Sequence, residues 1–113
     1  MGRILGIRCA DDAILREIVG KVVAVYRPER VYLFGSTARG DAGPDSDYDL
    51  LVIVPDDTPP ELRRAGPAYL ALWDLGVGAD VVIYTKTAFD RRVDVKASLP
   101  ATVMREGKLV YGA

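Results

Sequence analysis

The chain has 113 residues, of which 50% are hydrophobic and 27% are charged, and its net charge is −1. These values predict one globular domain spanning residues 1–113 rather than a disordered or fibrous chain. The near-zero charge argues against a broad electrostatic surface for nucleic acid, and we expect no direct nucleic-acid binding. No apolar run is long enough for a bilayer and no signal-peptide pattern is found, so we expect a cytoplasmic protein without membrane contact.

The residue types limit the possible chemistry further. The sequence contains no histidine and a single cysteine, Cys9. It can therefore form neither an internal disulfide nor a cysteine–histidine zinc site, and it lacks the base of Ser-His and Cys-His nucleophilic sites. We expect any proton acceptor to be a carboxylate. Between residues 41 and 60 there is no lysine or arginine, but there are six aspartates: Asp41, Asp45, Asp47, Asp49, Asp56 and Asp57.

The first part of the chain predicts a helix, a strand and a turn. Asp11 or Asp12 can cap a helix that ends before Pro28. Its buried stripe is predicted to consist of Ile14, Leu15, Ile18, Val19, Val22, Val23 and Tyr26. A short buried strand over 31–34 follows. Gly35-Ser36 then opens a turn, in which a hydroxyl side chain could cap one helical turn.

The rest of the chain alternates between strands and helices. A central strand is predicted over 48–54. A helical segment is predicted over 61–75, interrupted by Gly66-Pro67 and stopped by Gly76, in which Tyr69, Leu72 and Trp73 are spaced for packing on a sheet. A strand over 81–84, a short helix around 89–93 and a helix from Leu99 to Gly107 follow. Residues 108–111 predict a final edge strand. This order predicts an α/β or α+β fold, a sheet layered with helices.

Gly35 to Gly40 have the glycine spacing of a P-loop, but Asp41-Ala42 replace the Lys-Ser/Thr pair that the motif requires. This rejects a Walker-type NTPase. A different phosphate site remains possible, in which Gly35 lets a phosphate approach the backbone, Ser36 offers a hydroxyl and Arg39 meets a terminal phosphate. A simple turn after a strand is the alternative.

Asp47 and Asp49 stand two residues apart in a predicted strand, so their carboxylates point to one face and can share one or two metal ions. Oxygen ligands without histidine favour Mg²⁺ or Mn²⁺. Asp80 opens the next strand and could join them at one end of the sheet, where it would bind metal or deprotonate an attacking hydroxyl. The alternatives are a solvated loop end for the first two residues and a strand-start residue for Asp80.

The segment GSTARGDAGPDSDYDLLV resembles the signature of the DNA polymerase β-like nucleotidyltransferase superfamily, in which Gly-Ser precedes Asp-x-Asp by ten residues and a third Asp follows on a later strand. Residues 10–111, including the closing MREGKLVY, resemble the minimal nucleotidyltransferase (MNT) proteins, which are commonly encoded with a HEPN-domain toxin. The resemblance implies a mixed sheet flanked by helices. It also implies one or two Mg²⁺ ions, ATP as substrate, and transfer of AMP to a tyrosine hydroxyl of the HEPN partner, with the chain acting as antitoxin.

Two alternatives to this function stay open at this point. The chain could modify a small molecule, as antibiotic-modifying nucleotidyltransferases do, or it could neutralise a toxin by binding alone. Tyr69, Trp73 and the segment 89–103 are candidates for a contact surface, although we expect the aromatic residues to pack in the core.

Overall fold

A computed structural model describes residues 3–4, 12–35 and 48–112, and the structural statements below concern these residues. The elements, in chain order, are β1 (Arg3–Ile4), α1 (Asp12–Tyr26), β2 (Arg30–Phe34), β3 (Tyr48–Val54), α2 (Gly66–Leu72), β4 (Ala79–Thr85), α3 (Lys86–Arg92), α4 (Leu99–Glu106) and β5 (Lys108–Gly112). Two 3-10 turns, Pro60–Leu62 and Trp73–Leu75, lie on either side of α2.

The described strands form one mixed sheet in the order β1-β5-β2-β3-β4. Strands β3 and β4 are parallel, whereas the other neighbouring pairs are antiparallel. The predicted mixed sheet flanked by helices is therefore confirmed, as is the central position of β3. The prediction that 108–111 form an edge strand is wrong, because β1 pairs with the outer side of β5. A strand of two residues carries no periodic pattern that a sequence can reveal.

Helices cover both faces of the sheet. One apolar layer, between the sheet and helices α1 and α2, includes Leu50, Val52 and Val54. The other layer, on the side of α3 and α4, includes Leu51 and Ile53. Because β3 is buried on both faces, its sequence is a continuous apolar run rather than an alternating one. Burial of each such side chain contributes roughly 1.5–3 kcal/mol.

Helix α1 follows the predicted stripe with one correction. Leu15, Ile18, Val19 and Val22 are buried, but Ile14 is 38% exposed and lies at the margin of the stripe. The helix ends at Tyr26, two residues before Pro28, as predicted. None of the described helices has the length and apolar character needed to cross a membrane.

The segment 61–75 is interrupted just before Gly66-Pro67, where α2 begins, and it ends at Gly76, which has a left-handed φ of 63°; both features were predicted. It differs from the prediction in that its outer parts are 3-10 turns and in the exposure of its aromatic residues. Leu72 packs in the core as expected, but Tyr69 is 45% exposed and Trp73 is 83% exposed. The buried stripe of α2 runs instead through Ala68 and Leu72, which stand four residues apart. Tyr69 and Trp73, each one position later, are turned about 100° away from it.

The last two helices are capped by hydroxyl side chains. Thr85 accepts from the Ala88 N–H at the start of α3, and Ser98 accepts from the Ala101 N–H at the start of α4. Phe89 is buried between these helices and the sheet, so it is a core residue rather than part of a contact surface.

Candidate functional site

Strand register brings three of the predicted site residues to one end of the sheet. In the parallel ladder of β3 and β4, Asp49 and Asp80 are direct partners. In the antiparallel ladder of β2 and β3, Phe34 is the partner of Asp49, and Gly35 is the next residue after Phe34. Gly35, Asp49 and Asp80 are thus neighbours across three adjacent strands. We call this end of the sheet the carboxylate end.

The two carboxylates lie on the same face of the sheet. Asp49 alternates with Leu51 and Ile53, which pack towards α3 and α4, and Asp80 alternates with Val82 and Tyr84, which pack on the same side. Adjacent strands are about 4.8 Å apart, so both side chains can reach one ion between them. Asp49 is partly buried and Asp80 is exposed.

Tyr48 occupies the opposite face, as its position between two aspartates predicts. Its side chain packs against the layer formed with α1 and α2. Its N–H donates to the Gly78 carbonyl at 3.1 Å, which extends the β3–β4 ladder by one step. This bond fixes the register of the strand at the point where the carboxylates emerge.

Gly35 lies directly against the carboxylate of Asp49. Its φ is +76°, a conformation that favours glycine. A Cβ added there would overlap Oδ2 of Asp49 and lie 3.1 Å from its Cγ. The sequence suggested Gly35 for its approach to phosphate, but this contact could not be predicted, because it depends on how β2 pairs with β3.

The other predicted site residues, Ser36, Arg39 and Asp47, lie outside the described residues. Within the described part of the chain, no group of three or more potential metal-binding side chains occurs. The described pair of carboxylates still fits a hard cation, because Mg²⁺ is usually held by one or two carboxylates together with substrate phosphates. The absence of a side chain at Gly35 leaves space beside Asp49 that a Cβ would fill.

Comparison with known families shows which family the chain belongs to. Residues 14–108 match the family model described as the nucleotidyltransferase domain. The chain belongs to the nucleotidyltransferase domain family. The match includes Gly35, Asp49 and Asp80, so this is a nucleotidyltransferase in which these residues lie together at the carboxylate end.

Known relatives agree with this assignment. A protein of Methanocaldococcus jannaschii, named as an inferred protein adenylyltransferase, is 25% identical in an alignment of 103 residues that covers 89% of this chain and 98% of the relative. A crystal structure of a toxin–antitoxin with AMP-PNP has a TM-score of 0.58 at 24% identity and covers 85% of this chain and 72% of that one. A complex of a tri-AMPylated Shewanella oneidensis HEPN toxin with its MNT antitoxin has a TM-score of 0.50 at 18% identity, covering 88% and 73%. The resemblance inferred from the sequence is confirmed for family and fold.

The nucleotidyltransferase also has a groove at this end of the sheet, on the side of α2. Its volume is about 580 Å³, and it is lined by Tyr69, Leu72, Trp73, Gly76, Val77, Gly78 and Ala79. Ala79 immediately precedes Asp80 in β4. Tyr69 and Trp73 line this groove rather than the core expected from the sequence, because helical spacing alone does not show which face of a short helix is turned inwards.

A cation that the sequence analysis did not consider lies at the same end. Lys108 is exposed and is the partner of Leu33 in the β2–β5 ladder. Leu33 stands two residues before Gly35 in the chain. In the sequence Lys108 is simply the first residue of a strand. Only the pairing of β5 with β2 reveals that it lies near Gly35.

Proposed function

We propose that this nucleotidyltransferase transfers AMP from ATP, with Mg²⁺, to a hydroxyl group of a partner protein and releases pyrophosphate. The proposal rests above all on the pairing of Asp49 with Asp80 beside Gly35. Two carboxylates at the same level of adjacent strands provide oxygen ligands for a divalent cation that binds a triphosphate. The family assignment supplies the reaction class, nucleotidyl transfer.

In this proposal Asp49, Asp80 and Asp47 hold the metal, which would stabilise negative charge on the phosphates during transfer. Gly35 and Ser36 allow the phosphates to approach the backbone at the turn after β2, and Arg39 binds a terminal phosphate. Asp80 is the exposed member of the described pair. We therefore assign it the further role of orienting the acceptor hydroxyl and accepting its proton.

The nature of the donor and acceptor is supported by the relatives. One structural neighbour contains AMP-PNP, an analogue of ATP, and the M. jannaschii relative is named for adenylyl transfer to protein. Another neighbour is an MNT antitoxin in complex with a HEPN toxin that carries AMP. We propose a HEPN-domain toxin as the partner of this chain, a tyrosine of that toxin as the acceptor, and an antitoxin role for the chain.

A transfer assay with matched aspartate variants tests the chemistry. The protein is incubated with ATP labelled in the α-phosphate, Mg²⁺ and the product of the adjacent gene. We expect the wild type to label the partner, and Asp49→Asn to reduce the rate by at least about a hundredfold, because a metal ligand is lost. The control is Asp56→Asn, at the opposite end of β3, which should label at the wild-type rate. Equal labelling by Asp49→Asn and wild type would refute the assigned site.

A growth assay separates catalysis from neutralisation by contact alone. The Asp47→Asn, Asp49→Asn double variant is expressed together with the toxin. If AMP transfer is the antitoxin activity, this variant should fail to restore growth even though it is folded and present at the wild-type level. Full rescue by the double variant would favour a non-catalytic antitoxin. Labelling of an added small hydroxyl compound in place of the partner would favour the small-molecule alternative.

A further inference from the structure

Strand β4 forms one edge of the described sheet. Among the described strands it pairs only with β3. It is seven residues long, from Ala79 to Thr85, and its sequence, ADVVIYT, contains no proline or lysine. Natural edge strands are usually short, charged, bulged or covered, since an unprotected edge invites another strand. Strand β4 is therefore longer and more apolar than most unprotected edge strands.

The backbone of β4 presents hydrogen-bonding groups outwards. The N–H of Val81 donates to the hydroxyl of Tyr69 at 3.5 Å, on the side away from β3. Backbone groups alternate between the two edges of a strand, so those of Ile83 point to the same outer side. At 3.5 Å the bond from Val81 is at the long limit for a hydrogen bond. An incoming backbone carbonyl could therefore replace Tyr69 at little cost.

The groove begins where this edge begins. Gly78 and Ala79 line it, and so does Trp73, which is 83% exposed. An exposed aromatic side chain next to an apolar groove is typical of an anchor point for a partner side chain. Among the described residues that line the groove, none has a charged side chain. The charged residues adjacent in sequence to its lining, Asp74 and Asp80, are both acidic and exposed, so charge complementarity favours a neutral or basic segment.

We infer that the outer edge of β4 and the adjoining groove bind an extended segment of the acceptor protein, which adds to the sheet as a further strand. This inference builds on the proposed function, since it takes the acceptor to be a protein. Outward N–H and C=O groups at strand spacing are matched by another polypeptide backbone, and the groove accepts one apolar side chain of the segment. The added strand passes the start of β4, which brings a hydroxyl side chain on the segment next to Asp80.

Amide hydrogen exchange followed by NMR tests the pairing without any catalysis. The isotope-labelled nucleotidyltransferase is mixed with the unlabelled adjacent-gene product, without ATP or Mg²⁺. The amides of Val82 and Tyr84, which face β3, should be protected before and after mixing. The amides of Val81 and Ile83 should become at least about tenfold more protected on mixing, because Val81 exchanges its long bond to Tyr69 for one to a backbone carbonyl and Ile83 donates to the added strand. Binding without this protection, or no binding, would overturn the inference.

Substitution of exposed residues tests the groove. Trp73→Ala should weaken binding of the partner at least about tenfold, as expected for an anchoring tryptophan. The matched control is Leu70→Ala, since Leu70 is 81% exposed on the same segment but does not line the groove. Its effect should stay within about twofold. Equal effects of the two substitutions would contradict a role for the groove.

The outcomes separate this surface from the proposed chemistry. Protection of Val81 and Ile83 without any AMP transfer would support the surface and refute the function. Transfer at the wild-type rate by Trp73→Ala, at partner concentrations below the wild-type KM, would support the function and refute the surface. Protection that rises with the concentration of this chain alone would show that a second copy binds β4, and it would overturn the inference.

Discussion

The two ends of β3 both carry aspartates, yet the structure uses them differently. At its start, Asp49 is level with Asp80, so one carboxylate stands beside another. After its end, the carboxylate of Asp56 accepts hydrogen bonds from the backbone N–H of Thr87, at 2.9 Å, and from the Thr87 hydroxyl. The first arrangement favours binding of a cation, whereas the second fastens a loop to the start of helix α3.

Other contacts strengthen the contrast. Near Asp56, the side chain of Arg63 donates to the carbonyl of Thr58 at 2.7 Å. At the same end, the hydroxyl of Tyr26 donates to the Arg64 carbonyl and accepts from the Ala68 N–H, which joins α1 to α2. We call this the closed end, because side chains there satisfy backbone groups of the fold. An aspartate next to an apolar strand thus acquires its role from the groups that the neighbouring element places beside it.

The largest effect is expected at the carboxylate end, from Gly35→Ala. The new Cβ would overlap Oδ2 of Asp49 and occupy a left-handed conformation that alanine disfavours. A displacement of about 1 Å at a catalytic group costs roughly a hundredfold in rate, so kcat/KM for AMP transfer should fall by at least that factor. The control is Gly20→Ala in helix α1, where nothing lies within 4 Å of the added Cβ. It should leave transfer unchanged and stabilise the fold by about 0.5–1 kcal/mol. Transfer at the wild-type rate by Gly35→Ala would contradict the role assigned to the carboxylate end.

An intermediate effect is expected at the closed end, from Tyr26→Phe. The change leaves the Ala68 N–H and the Arg64 carbonyl without their partner, which should lower the free energy of unfolding by about 1–3 kcal/mol in a urea titration. Transfer activity should persist in the folded variant. The control is Tyr84→Phe on the partly exposed strand β4, which should lower the free energy of unfolding by less than Tyr26→Phe does. An equal loss from both substitutions would show that the Tyr26 contacts do not stabilise the closed end.

The same residue gives a prediction for alkaline pH. Burial raises the pKa of Tyr26 above its ordinary value of 10.0. The folded state therefore keeps the phenol proton where the unfolded chain loses it, and this contribution to stability is present below pH 10.0 and is lost as the pH rises further. Tyr26→Phe should show a shallower loss of stability above that pH. An unchanged slope in the variant would contradict the prediction.

The smallest effect is expected from Asp56→Asn. Hydrogen bonds from the Thr87 hydroxyl and, to a smaller extent, from the Thr87 backbone N–H lower the pKa of Asp56 below its ordinary value of 3.8. Its stabilising contribution is thus present above pH 3.8 and is lost as the pH falls through the lower pKa of the folded state. Thermal unfolding should show a lower Tm for Asp56→Asn at neutral pH and a smaller difference in acid. A Tm difference that stays constant with pH would contradict this role.

Much of the fold could be predicted, because strands β2, β3 and β4 are apolar runs bounded by turn residues. The position of β5 could not be predicted, because the two residues of β1 that cover it have no recognisable pattern. The exposure of Tyr69 and Trp73 was also missed. Their spacing fits either face of a helix, and the small residue Ala68 takes the inward position.

The candidate site was only partly predictable. The types and spacing of the aspartates predicted a cation site, and the register of β3 with β4 confirms that Asp49 and Asp80 are neighbours. The contact of Gly35 with Asp49 and the position of Lys108 depend on pairing between strands that are distant in the sequence. Such pairing cannot be predicted from the local composition of either strand.

The most direct test of the carboxylate end is a crystal structure of the protein with Mn²⁺ and AMP-PNP, using the anomalous signal of manganese. We predict an anomalous peak coordinated by both Asp49 and Asp80, with the triphosphate beside Gly35. A nucleotide bound elsewhere, or a manganese ion that touches neither carboxylate, would contradict the account.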